Sequence, residues 1–232
     1  MENNGKELMS LEIEQMLDLQ EQINQRIHPQ WREQSFPWYR AIWTECAEMI
    51  DQFGWKWWKK QDADWDQLQL ELIDIWHFGL SDILQNIEDA KDSRESIAHH
   101  LAESYLNRPP LVDSTPEKFR QTIESFTTDI LTTKKFCVSR FYQLMALANL
   151  PMQVLFVQYV GKNALNHFRQ NHGYQSGKYA KQWQNREDNE HLGDILHQIS
   201  ESDITIANLY DAVYALLLER YNKLVIEPKM IS

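Results

Sequence analysis

A chain of 232 residues with a formal net charge of −11 and only seven glycines and seven prolines has room for long helices, and its charge excludes non-specific binding to nucleic acid or to an anionic membrane. Its 43% hydrophobic and 25% charged residues exclude disorder and allow a sizeable core. Two cysteines are too few for a disulfide framework, and no signal peptide or long apolar span is visible, so a soluble, intracellular, cytoplasmic protein is expected. The expected organisation is one all-helical domain over 1–232, with a smaller or mobile helical part around 88–150.

In chain order, Met1 to Glu7 is expected as a frayed start. Leu8 to Ile27 has helical spacing, with Ile13, Met16, Leu17, Ile23 and Ile27 on one stripe. Gln20 and Asn24 fall inside that stripe. Two inward amides either satisfy other protein groups or present donors and acceptors to the edge of a planar polar ligand, and the spacing leaves both readings open. His28-Pro29 ends the helix, and Pro37 precedes the next, where its fixed φ and missing N–H cost least.

From Arg40 to Leu84 two helices each carry a pair of acids three residues apart: Glu45 and Glu48 on the first, Glu71 and Asp74 on the second. Residues at i and i+3 share a helix face, so antiparallel packing would bring all four carboxylates together. They lie within apolar stripes, Glu71 and Asp74 beside Leu68, Ile75 and Phe78, Glu45 and Glu48 beside Ile42 and Met49. Burying carboxylates without a cation or donors is costly, and gathered like charges raise one another's pKa values. An all-oxygen set suits Mg²⁺, with Mn²⁺ as a substitute. A di-iron bundle wants Glu-x-x-His from two helices, and this stretch offers only Asp74-x-x-His77, whose His is expected to bond locally or pack. Pairing of all four acids with Lys or Arg is the purely structural alternative.

The intervening turn, Gly54 to Asp64, holds Trp55, Trp57, Trp58, Lys56, Lys59 and Lys60. Either the tryptophans fill the space between diverging helices while the lysines face water, or one or two lysines meet an anionic ligand. Asp64 with Gln67 has the form of a capping box for the second acidic helix, which should run toward Asn86. Asp89 to Pro116 is polar, ends in Asn107-Arg108-Pro109-Pro110, and is expected as a long loop or internal boundary.

Ser114 or Thr115 with Pro116 and Glu117 starts a helix. Its spacing runs through Phe119, Ile123, Phe126, Ile130 and Leu131 to about Asn149, with a break near Thr127 or Thr132. Pro151 opens another helix, for which Gly173 fits a C-terminal cap, and Asp203 to Leu224 closes the chain as a core helix. Between them, Lys162, Asn163, Asn166, Arg169, Lys178, Tyr179, Lys181, Arg186 and Asn189 concentrate cations and amides in an otherwise acidic chain. A polyphosphate requires such groups, and a basic solvated surface is the alternative. No P-loop ending in Lys-Ser/Thr is present, so a phosphate site here must be assembled from side chains.

The run WTECAEMIDQFGWKWWKK followed by ELIDIWHFGLSDIL resembles the all-helical, dimeric dUTP diphosphatase family, relatives of the MazG-type nucleotide pyrophosphohydrolases. YVGKNALNHFRQNHGYQSGKYAKQWQNREDNEHLGDIL is similar to that family's second block, and with LQEQIN the resemblance spans about residues 8 to 200. It implies an all-α helical bundle. It implies Glu45, Glu48, Glu71 and Asp74 as Mg²⁺ ligands, the first pair also orienting or deprotonating the attacking water. Gln20 and Asn24 match amides near the uracil ring, and Trp58 and Lys59 match the aromatic and basic turn. Lys162, Asn166, Arg169, Lys178 and Tyr179 fall in the phosphate-binding block, and Asn189 matches a nucleotide contact. A homodimer with both subunits contributing to each site is implied. Gln175, where a Lys is common, and Arg186, near a turn that often carries Gly, depart from the pattern without removing a metal ligand.

The expected activity is Mg²⁺-dependent hydrolysis of dUTP to dUMP and pyrophosphate, with dUDP also accepted. The alternatives are a related pyrophosphohydrolase preferring dCTP, since an amide can read either pyrimidine after exchanging O and N, and a non-enzymatic helical interaction module.

Overall fold

The computed structural model describes residues 2–87, 93–110, 115–200 and 205–226 and is 76% helical. The chain divides into two compact units, Met1–Leu155 and Phe156–Ser232.

In the first unit the central helix is α3 (Trp65–Gln85), preceded by α1 (Glu2–Ile27) and α2 (Trp38–Phe53) and followed by α4 (Arg94–Leu106), α5 (Pro116–Thr133) and α6 (Val138–Leu147). α3 buries Leu68, Leu72, Ile73, Ile75, Trp76, Leu80 and Leu84, apolar on nearly every face as befits a helix surrounded by others. α1 and α2 pack on α3, α4 on α1, α5 on α2, and α6 on α4 and α5. Trp76 stacks on Phe141 with centroids 5.1 Å apart. Gly79 admits the Phe136 ring against α3, because a Cβ there would lie 2.7 Å from it.

α2 and α3 form an antiparallel pair tied at both ends. At the turn, the Asp64 N–H donates to Gln52 O at 3.0 Å. At the far end, Gln85 Oε1 accepts from Phe36 N at 3.1 Å and from Trp38 Nε1 at 2.9 Å. Asp64 caps α3 as expected, its Oδ1 accepting from Gln67 N at 3.1 Å. The reciprocal half of a capping box is not made, because the Asp64 N–H is already spent on Gln52.

Three expectations need correction. Helix α1 already begins at Glu2 rather than after a frayed Glu7. The polar stretch expected as a loop contains α4, which hides Ala98, Leu101, Ala102 and Tyr105, an i, i+3, i+4, i+7 stripe built half from alanine; Asp89 lies outside the described residues. The break expected near Thr127 or Thr132 falls just beyond, where Lys134 turns left-handed at φ 59° and Asp82 Oδ2 accepts from Phe136 N at 2.8 Å. Thr115 is the N-cap of α5, and Ser114 lies outside the described residues.

The second unit holds most of α7 (Met152–Asn171), a hairpin of β1 (Gln182–Trp183) and β2 (Arg186–Glu187), α8 (Asp188–Ser200) and α9 (Leu209–Tyr221). Gly173 ends α7 at φ 86°, with Tyr174 N bonding Arg169 O at 3.0 Å and Gly173 N bonding Gln170 O at 3.2 Å, a Schellman cap. The hairpin turns on Gln184 and Asn185 at φ 48° and 65°, matching the right-handed twist of its strands. Its core is aromatic: Phe168 meets Tyr221 at 5.3 Å and Trp183 at 6.0 Å, and Trp183 stacks on His191 at 5.1 Å. Among the described residues no single helix is long and apolar enough to cross a membrane. Only α6 and α7 together, bent by 103°, have that composition, and their apolar side chains are largely core.

Candidate active site

The α2–α3 pair brings acids together as the spacing predicts. Ligand atoms of Glu45, Glu71 and Asp74 all lie within 4.8 Å of one another. Glu71 is buried and the other two are half-buried. Burial, followed by the charges of Asp74, Glu48 and Glu71 and a hydrogen bond with Glu71, pushes the Glu45 carboxyl up to about 8. Glu45 has no ion pair with Lys or Arg among the described residues, which removes the purely structural account for this acid. A set of convergent carboxylate oxygens, one of them driven to hold a proton, fits a hard divalent cation.

Glu48 behaves differently. It is exposed and stands outside the three-acid group, close enough only to raise Glu45 through its charge. The reason is rotational: α2 buries Ile42, Cys46, Met49 and Phe53, and at about 100° per residue Glu45 lies roughly 70° from that line and Glu48 roughly 130°. The expectation that Glu48 sits within the apolar stripe is therefore corrected. Between the two acids, burial pushes the Cys46 thiol up to about 12, so it acts as a core group.

The aromatic turn is not packing filler. Trp55, Trp57 and Trp58 are 46%, 90% and 57% exposed, and Trp58 meets each of the other two edge to face. Lys59 and Lys60 are exposed, while Lys56 pairs with Asp51 at 2.8 Å.

Gln20 and Asn24 are buried side by side, and their amides bond within the protein. Gln20 Nε2 donates to Asn24 Oδ1 at 3.1 Å and Ser81 Oγ at 2.8 Å, and Asn24 Nδ2 donates to Ser81 Oγ at 2.9 Å. His77 Nδ1 lies 3.0 Å from Gln20 Oε1, so its bond is long-range rather than local. Sequence reasoning missed Ser81, although it lies one turn beyond His77 on the same face of α3. It also passed over Glu21, which accepts from Trp31 Nε1 at 3.1 Å and from Arg32. Burial raises that carboxyl, but the Arg32 and Trp31 bonds outweigh it and hold it below its ordinary range.

In the second unit the expected phosphate block is arranged around an ion pair. Fully buried Asp188 accepts from Arg169 Nε at 2.8 Å and Nη2 at 2.7 Å and from the Tyr179 hydroxyl at 2.9 Å. Burial and then the Asp188 charge push the Tyr179 phenol well up, so it stays a donor. Arg169 also donates to Asn166 Oδ1 at 3.1 Å and, at 3.4 Å, to Asn189 Oδ1. Lys178 is exposed and Lys162 half-buried. Asp188 was not among the predicted site residues. Its neighbours in the Glu-Asp-Asn run gave a signal for the place but none for its burial.

A family model described as dUTPase matches residues 12–174, which contain both acidic helices and the two inward amides. No curated protein sequence matches the chain. With more than half of its length matched and an all-helical fold to go with it, the chain belongs to the all-α dUTPase family and is an enzyme of the dUTP diphosphatase class.

Proposed function

We propose that this enzyme hydrolyses dUTP to dUMP and pyrophosphate, and dUDP to dUMP and phosphate, using Mg²⁺ held by Glu45, Glu71 and Asp74 with Glu48 at their edge. The observation that carries this reading is the convergence of three carboxylates within 4.8 Å inside the matched span. When bound, the cation supplies Lewis acidity and charge neutralisation at the phosphate oxygens. In the reaction, the water oxygen bonds to phosphorus, the bridging P–O bond breaks, and the water gives up a proton.

Glu45 and Glu48 are the groups assigned to orient or deprotonate that water, supported for Glu45 by its place among the converging carboxylates. Gln20 and Asn24, fixed by Ser81 and His77, are assigned to the base pocket, and Trp58 and Lys59 to binding the nucleotide. Lys162, Asn166, Arg169, Lys178, Tyr179 and Asn189 are assigned to the phosphates. We place the active form as a homodimer in the cytoplasm, in keeping with two free cysteines.

The test is pyrophosphate and phosphate release from dUTP, dUDP, dCTP and dTTP, each with Mg²⁺ and with EDTA. Turnover of the deoxyuridine nucleotides that EDTA abolishes is expected. Preference for dCTP would overturn the base assignment, and silence on every nucleotide would overturn the reading.

A further inference from the structure

Arg169 is matched by position to a phosphate contact, yet its own hydrogen bonds describe a different task. It is only 8% exposed. A guanidinium has five N–H donors and no acceptor. Four of the five are used inside the unit: two on Asp188, one on Asn166 Oδ1 and one on Asn189 Oδ1. Its charge is already met by a carboxylate at 0% exposure, in the bidentate geometry that binds most tightly.

The two asparagines follow from this. Since Arg can only donate, the atom each presents to Arg169 is its oxygen, which turns both Nδ2 groups away from the guanidinium. Among the described residues neither Nδ2 donates to a protein atom, and both side chains are half-buried rather than swept by solvent. Amides held in advance in this way lose little freedom when an anion arrives.

We propose that Arg169, anchored by Asp188 and Tyr179, is a positioning residue: it sets the amides of Asn166 and Asn189 so that their Nδ2 groups donate to the phosphate oxygens of the substrate. Its own charge stays with Asp188. This rests on the nucleotide reading given above and deepens it, replacing a direct cationic contact by two oriented neutral ones and leaving charge neutralisation to lysines.

Asn166→Asp separates the roles. The carboxylate keeps an oxygen for Arg169, so a purely structural Asn166 tolerates the change, but the outward N–H donors become an anion facing an anion. The expected result for dUTP with Mg²⁺ is a melting temperature no lower than wild type and a KM raised by about tenfold or more, with kcat changed less. Arg169→Lys, alone and with Asn166→Ala, then tests the linkage: its effect on KM should shrink in the Asn166→Ala background to the part that passes through Asn189. A wild-type KM for Asn166→Asp, or an Arg169→Lys effect that adds in full to Asn166→Ala, overturns the proposal. Wild-type enzyme is assayed alongside; if it is active, those outcomes bear on the positioning role alone, and if it is silent on dUTP, the nucleotide reading fails and takes this one with it.

Discussion

In Met1–Leu155 the half-buried Glu45 looks onto two further carboxylates, whereas in Phe156–Ser232 the fully buried Asp188 is met by both edges of Arg169 and by the hydroxyl of Tyr179. Both arrangements remove carboxylates from water, but the first sets like charges beside Glu45, whereas the second sets a guanidinium and a phenol on Asp188. Like charges gathered by the packing of two apolar helices mark a place that a cation completes. An ion pair closed on itself marks scaffold, and what it orients at its rim is where its function lies.

That contrast predicts opposite signs for superficially similar substitutions. Glu45→Gln keeps the side-chain volume and should lower kcat on the order of 10³-fold, the equivalent of several kcal/mol of transition-state stabilisation. In EDTA at neutral pH the same variant should melt about 2–4 °C higher than wild type, because Gln avoids the proton uptake that folding demands of a carboxyl raised to about 8. Asp188→Ala should instead lower stability by about 3–5 kcal/mol in urea unfolding, since it strands the Arg169 charge. If both substitutions destabilised the metal-free protein, the distinction between the two units would collapse.

Glu21 offers a smaller version of the compensated case within the first unit. Glu21→Gln should cost about 2 kcal/mol at pH 7 through its bonds from Arg32 and Trp31. Because the folded carboxyl titrates below its ordinary value, that contribution is complete above the ordinary carboxylate range and is lost as pH falls through the folded value. Melts of wild type and variant should therefore converge in acid, below the ordinary carboxylate range. A gap that persists in acid would mean that packing, not charge, carries the effect. The smallest expected change is Asp64→Ala, about 1 kcal/mol from loss of the α3 cap, with the Gln52 bond to the backbone retained.

Much of this was legible in the sequence where one physical signal dominated. The i, i+3 spacing of Glu45/Glu48 and Glu71/Asp74 gave the acidic pair of helices, Pro37 and Asp64 marked their starts, and Gly173 marked the end of α7. Helix α4 was hidden because its buried stripe rests on Ala98 and Ala102, which carry little hydropathy among polar neighbours. Helix α8 had a readable stripe in Leu192, Ile195, Leu196 and Ile199, and was obscured by the polar block that precedes it. The hairpin lacks an Asn-Gly turn, and Gln184-Asn185 signals it only weakly. At the site, the full line of Ile42, Cys46, Met49 and Phe53 does turn Glu48 away at about 100° per residue, but Ile42 and Met49 taken alone do not make that plain. Nor could it reveal that Trp55, Trp57 and Trp58 are exposed, since tryptophan is ordinarily core.

The most direct test of the central claim is pyrophosphate release from dUTP by wild type and Glu45→Gln, in Mg²⁺ and in EDTA, with helical content checked by circular dichroism. The account predicts turnover by wild type that needs Mg²⁺, and a variant with the same helicity whose turnover is on the order of 10³-fold lower. A fully helical Glu45→Gln that hydrolyses dUTP at the wild-type rate would contradict it.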